Sequence, residues 1–354
     1  MLTSDSTPPS EQSSAGRTIL EAAGRKYPWA EVLTAAYFFD LAGELHAALE
    51  DALAALAYAE EQGFDVDEAG AAGAEAFRLE HGLVTGEELD GWLAHVGLDL
   101  ESFDAHFAGR ALASRFAAEL EEIREHYAPD PDDVIGAMWA ATLLSDSFDA
   151  FVGAFARRLA QQSASEATPE PEDAGQALDA GAARVPEALR DAERLEELGA
   201  LDATYLRAER ELVPPERVAR ELREREYQLT RIEVTEACFR TLDQAHEALQ
   251  CVNADGLTLD EVAEQAGLEP CEATYFVDEA PEGAVALLSA EPGRAAEPEP
   301  TEEGFLVRVL LQRWPPEPGD PELEERVRTR LIAAHFDALV SLHVTRSFDP
   351  WTAR

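Results

Sequence analysis

Lysine is almost missing from this chain. Lys26 is the single lysine among 28 basic residues, against 72 acidic ones, for a formal net charge of −44 over 354 residues. A desolvated Schiff-base lysine is therefore not expected, because Lys26 lies beside a segment read as flexible. Basic patches that would hold nucleic-acid phosphate or anionic lipid are excluded by the same balance. Cysteine is scarce as well: Cys238, Cys251 and Cys271 are odd in number and form no CxxC pair. That argues against a disulfide framework and for a reducing compartment. No apolar run approaches the ~18 residues of a membrane span. The stretch from Met1 to Arg17 has no apolar segment after a basic start, so the expected location is the cytoplasm.

Chemistry-bearing motifs are equally sparse. Gly70 and Gly73 sit in an Ala-rich helical context, without the strand and lysine of a phosphate loop. No two histidines have the i, i+4 spacing that places two imidazoles on one helix face for zinc. His335 and His343 lie about two turns apart and read as helix-surface residues. Cys238 or Cys251 with His246 formally permits a thiol nucleophile, but a buried inert thiol is the plainer reading. Carboxylates are too numerous for any pair to stand out, and no EF-hand spacing occurs. No cofactor is expected.

What is present is a hydrophobic content of 46%, enough for a full core and two or three domains. Arginine in place of lysine under a large acidic excess reads as salt adaptation in a protein from a GC-rich genome. At this charge self-repulsion opposes compaction, and salt screens it. The fold is expected to loosen in dilute buffer and tighten in molar salt. A melting temperature that ignores salt would contradict this.

Along the chain, 1–17 reads as a flexible tail and 18–162 as a helical domain. Leu41, Leu45, Leu49, Leu53 and Leu56 give one apolar helix face that ends at Gly63. A second helix is expected over 67–80. Thr85 with Glu88 makes a capping box, and Gly97 stops the helix that it starts. Asp99 opens a longer helix with Phe103, Phe107, Phe116, Leu120 and Ile123 on its buried stripe. The block 132–162 carries Met138, Trp139, Phe148, Phe151 and Phe155 at helical spacing, a core face or else an apolar groove for extended peptide. Residues 163–185 read as a linker, 186–226 as charged connecting helices, and 317–354 as a final helix.

Between Tyr227 and Pro316 a strand pattern over 228–234 precedes helical stretches over 242–249 and 257–266, the second closed by Gly267. Tyr275-Phe276-Val277, the turn Glu291-Pro292-Gly293 and the strand over 303–310 follow. This order resembles a parvulin-type prolyl isomerase. Residues 83–107 resemble the helical N-terminal domain of SurA-type chaperones, in which such a domain precedes parvulin domains. The implied fold is α+β and mostly helical, with a SurA-like helical domain, a small degenerate parvulin-like domain over 227–316, and a C-terminal helix packing on the helical domain. The family carries one His in its first strand, where this chain has Arg231, and a second in its closing strand, where this chain has Leu306 or Val307. No catalytic residue is carried over. Arg231, Tyr275, Phe276 and Phe305 remain as candidates for a peptide groove. The resemblance implies a non-catalytic peptide-binding chaperone, an accessory of a peptide maturation system. Its partners would be an extended precursor peptide and the enzymes that modify it. An active isomerase and a scaffold that binds a folded partner are the alternatives.

Overall fold

The computed structural model describes residues 14–165, 170–289, 291–317 and 319–352. The chain divides into two compact units, one of residues up to Arg210 together with those from Ala334, the other Glu211–Ala333. The tail read over 1–17 lies mostly outside the described residues. Its last residue is anchored, because Arg17 donates to the His95 carbonyl at 2.7 Å.

The first unit opens with a hairpin that the sequence reading missed, β1 (Thr18–Ala22) and β2 (Arg25–Pro28). Its turn residues Ala23 and Gly24 have φ of 50° and 78°. Positive φ at both central positions is what a tight two-residue hairpin demands. Helices α1 (Trp29–Phe38), α2 (Gly43–Gln62), α3 (Val66–Glu80) and α4 (Gly86–Val96) follow. Gly63 and Gly97 end α2 and α4 in the left-handed conformation, and Thr85 with Glu88 forms the expected capping box.

The helix expected from Asp99 is two helices, α5 (Leu100–Arg115) and α6 (Leu120–Tyr127). The block 132–162 is also two, α7 (Pro131–Leu144) and α8 (Phe148–Ala164). The second break is at Asp146, whose φ of 57° a short polar side chain tolerates. The aromatics of this block are buried core side chains, and Trp139 in addition borders a cleft between α2, α5 and α7. Trp139, Phe148, Phe151 and Phe155 are buried, Trp139 donates to the Val96 carbonyl at 3.0 Å, and its ring lies 5.0 Å from that of Trp29. The span read as a linker contains α9 (Pro171–Ala182), packed on α1. Gly181 makes that approach possible, because an added Cβ would run into the Phe38 ring. The long α10 (Ala192–Leu212) contributes Leu195, Leu198 and Leu201 to the same core.

The second unit contains α11 (Pro215–Glu224), β3 (Arg231–Phe239), α12 (Leu242–Asn253), α13 (Leu259–Gln265) and β4 (Cys271–Phe276). The short α14 (Glu282–Ala286), then β5 (Glu299–Thr301) and β6 (Gly304–Trp314), complete the sheet region. The sheet is antiparallel throughout, in the order β4-β3-β6-β5. On one face, Ala237, Phe239, Val307 and Val309 pack against Ala245, Ala248, Leu259 and Ala263 of α12 and α13. On the other, Ile232, Val234 and Leu310 pack with Val277, Ala284 and Leu287. β3 starts three residues later than the sequence pattern and runs on to Phe239, because its second half supplies the face under α12.

α15 (Pro321–His343) begins in the second unit, where Leu323 and Val327 pack with Val218, Leu222 and Leu229. Its last turns lie in the first unit, where Phe336 stacks on Tyr205 at 4.3 Å. β7 (Val344–Arg346) then adds to β1, giving a sheet in the order β2-β1-β7. The chain end is fixed by Trp92, which donates to the Pro350 carbonyl at 3.0 Å and stacks on Trp351 at 5.5 Å. The architecture is mostly helical with two small antiparallel sheets.

Candidate peptide-binding site

The four candidate residues fall in three places on the second unit. Arg231 and Phe276 are Cα partners across β3 and β4. The Arg231 guanidinium lies 5.2 Å from the Phe276 ring centroid, within cation–π range, and donates to Glu322 at 2.8 Å. Its charge is met by acids of its own chain rather than standing ready for a ligand carboxylate. Arg326 lies over the same ring at 4.3 Å and is held by Asp278 and Glu279. Beside this cluster is a cavity of about 290 Å³ lined by Leu229, Phe276, Trp314, Pro315 and Leu323 with the charged Arg231, Glu317 and Asp320. Trp314, at the end of the closing strand and not among the residues the sequence reading names for the groove, is 37% exposed, unusual for so large an aromatic.

Tyr275, one residue along the strand, faces the opposite side of the sheet. Its hydroxyl donates to Glu236 at 3.2 Å. Glu236 also accepts from Arg308 Nε at 2.5 Å, and the other arm of Arg308 reaches Glu299. Glu236 and Arg308 are 8% and 6% exposed. Burial, then the Glu236 charge, pushes the Tyr275 phenol above its ordinary pKa. Burial works against the charged form of Arg308, but the two carboxylates outweigh it and hold its pKa raised. This network escaped the sequence reading. The available signal was a charged residue at an interior position of each apolar strand, Glu236 after Ile232 and Val234, and Arg308 between Val307 and Val309.

Phe305 lies at the far end of the sheet, opposite Phe239 and Pro300, packed at the margin of the core under α12. None of the four strands carries a histidine, and the unit's single one, His246, is exposed on α12. Cys238 lies 3.8 Å from the Thr301 hydroxyl, and all three cysteines are free. Among the described residues no cluster of three His, Cys, Asp or Glu side chains could hold a metal ion.

The free edge of the sheet completes the site. Among the described residues β4 pairs with β3 alone. Val277 donates to Thr230, which makes 230/277 a hydrogen-bonded pair. By antiparallel alternation the N–H and C=O of Glu272 and Thr274 and the N–H of Phe276 point outward, while the Phe276 carbonyl accepts from the Glu279 N–H at 3.0 Å. The Phe276–Trp314 cavity therefore stands at the end of an unpaired strand.

No family model and no curated protein matches the chain. Solved structures similar to it include the peptidylprolyl isomerase PrsA from Bacillus cereus, at 12% identity and TM-score 0.37, covering 60% of this chain and 90% of that one. PrsA from Bacillus anthracis is similar at 12% identity and TM-score 0.32, covering 52% and 92%. A SurA-like chaperone structure from Campylobacter jejuni is similar at 10% identity and TM-score 0.19, covering 62% and 90%. At such scores these likenesses say nothing of activity. No helix among the described residues is long and apolar enough to cross a membrane.

Proposed function

We propose that this chain is a non-catalytic, parvulin-like peptide-binding chaperone with a SurA-like helical unit, an accessory of a peptide maturation system in the cytoplasm. The observation that carries the reading is the unpaired edge of β4 ending at the Phe276–Trp314 cavity. An extended segment adds to such an edge through main-chain hydrogen bonds and places a side chain in the adjoining cavity. Against isomerase activity stands the tyrosine–carboxylate–guanidinium network, whose members are tied to one another on a sheet without histidine. The client is then a precursor peptide in extended form, with its modifying enzymes as further partners.

Thr274→Pro removes one outward N–H from an edge position, where proline is tolerated. It is expected to weaken binding of a short fluorescein-labelled proline-containing peptide about tenfold, with little change in melting temperature. Fluorescence anisotropy in molar salt reads the affinity. Unchanged binding in this variant and in Trp314→Ala would rule out the edge as the site. The same peptide followed by NMR exchange should show X-Pro isomerisation at its uncatalysed rate, tens to hundreds of seconds.

A further inference from the structure

Two clefts meet on the helical unit. The smaller, about 320 Å³, is lined by apolar side chains of α2, α5 and α7, among them Leu49, Leu53 and Ala137, and by His106. The larger, about 640 Å³, has Phe64, Val66 and Ala108 in its wall, with Glu60, Glu101 and Asp104. Leu56 and Ala105 line both, so the two form one surface along α5.

Their polar groups differ in kind. The small cleft has no Asp, Glu, Lys or Arg in its lining, and its titratable group is His106. That side chain is 9% exposed, and its Nε2 is buried without a hydrogen-bond partner. Burial, then the charge of Arg110, lowers its pKa to about 4, so the ring is neutral at neutral pH. Half-rotation of an imidazole exchanges Nε2 with Cε1, and the ring lines the small cleft in either orientation. The larger cleft has carboxylates in its lining and no Lys or Arg. A neutral imidazole does not recruit an anion, and a chain of net charge −44 repels one.

We infer that this surface takes a client segment in which a tyrosine is flanked by basic residues. The phenol enters the small cleft with its hydroxyl on His106, and the basic side chains lie against Glu60, Glu101 and Asp104. Tyrosine suits the site because its hydroxyl both donates and accepts, and so satisfies either tautomer of a neutral ring. Phenylalanine would leave the nitrogen unpaired, and an indole N–H only donates. The inference deepens the peptide-binding reading above and rests on it, but it locates a second contact on a different unit.

The test uses the full chain and the synthetic peptide Gly-Tyr-Gly-Arg-Arg-Gly, with His106 ring signals followed by NMR. Binding should shift those signals. Phenylalanine for tyrosine in the peptide should weaken it about tenfold, and glutamate for arginine should abolish it. Ala105→Leu, which fills the junction of the clefts, should also abolish binding. Should that variant unfold, Glu101→Gln with Asp104→Asn serves instead and should weaken binding more than Glu121→Gln with Glu125→Gln, an equal charge change on exposed positions of α6. Equal losses in the two charge variants, or equal affinity for the tyrosine and phenylalanine peptides, would overturn the proposal in favour of diffuse attraction to an acidic surface. Binding that Thr274→Pro abolishes and Ala105→Leu leaves intact would overturn it too, while the edge-strand reading stood.

Discussion

Arg308→Leu is expected to destabilise the second unit by ~3–5 kcal/mol, the scale of breaking one partner out of a buried ion pair. The side chains of Arg308 and Glu236 are 7% and 10% exposed. With the guanidinium gone, Glu236 keeps only the Tyr275 hydroxyl and cannot be hydrated where it stands. Glu299, 37% exposed, can turn to water and adds little. The double variant Glu236→Leu/Arg308→Leu should recover most of the loss, since matched apolar replacement of a buried pair is often neutral. Chemical denaturation in constant molar salt, followed by the fluorine NMR signal of fluorotryptophan at Trp314, the one tryptophan of this unit, separates the two outcomes. A single-variant loss below ~1 kcal/mol would mean that the pair behaves as a solvated surface contact. If the double variant also keeps its affinity for extended peptide, the network is structural and takes no part in binding.

How much of this was legible in the sequence depends on how local each signal is. Gly63, Gly97 and the Thr85–Glu88 box act within one turn of helix, and each ends or starts a helix where the residues say. Apolar spacing alone reads across interruptions, so the breaks at 116–119 and at Asp146 were absorbed into longer helices. α9 was missed for the opposite reason. Its alanines and glycines look like linker, yet small side chains are what allow Gly181 to approach Phe38. In the second unit the strand order was readable but the faces were not. Tyr275 and Phe276 are neighbours in sequence, and the pleat sends them to opposite sides of the sheet. The Glu236–Arg308 pair joins residues 72 apart and depends on a register that shifts between Glu233 and Val234. Such a shift re-aims side chains along the rest of the strand, and local pattern does not report it.

Two glycine-to-alanine substitutions on neighbouring helices should move stability in opposite directions. Gly91, on the exposed side of α4, has nothing within 4 Å of an added Cβ. Alanine there removes the entropic cost of glycine inside a helix, and Gly91→Ala should stabilise by ~0.5–1 kcal/mol. Gly70, in α3, gains the same propensity, but its Cβ would lie 2.5 Å from the backbone nitrogen of Ala108 in α5. Backbone in a packed helix cannot step aside as a side-chain tip can, so α3 must shift, at a cost of typically ~1–3 kcal/mol. The net effect of Gly70→Ala is therefore destabilising, and valine at that position more so. Gly73 sharpens the contrast, because its added Cβ meets the side chain of Phe107 at 3.1 Å rather than a backbone atom. Thermal denaturation of the three variants in one buffer gives the order Gly91 above Gly73 above Gly70. Gly70 also lines the larger cleft, so a displaced α3 should reduce affinity for a tyrosine–arginine peptide even where the fold survives. A stabilised Gly70→Ala would mean that α3 and α5 are not in close contact, and the cleft that depends on their approach would have a different shape.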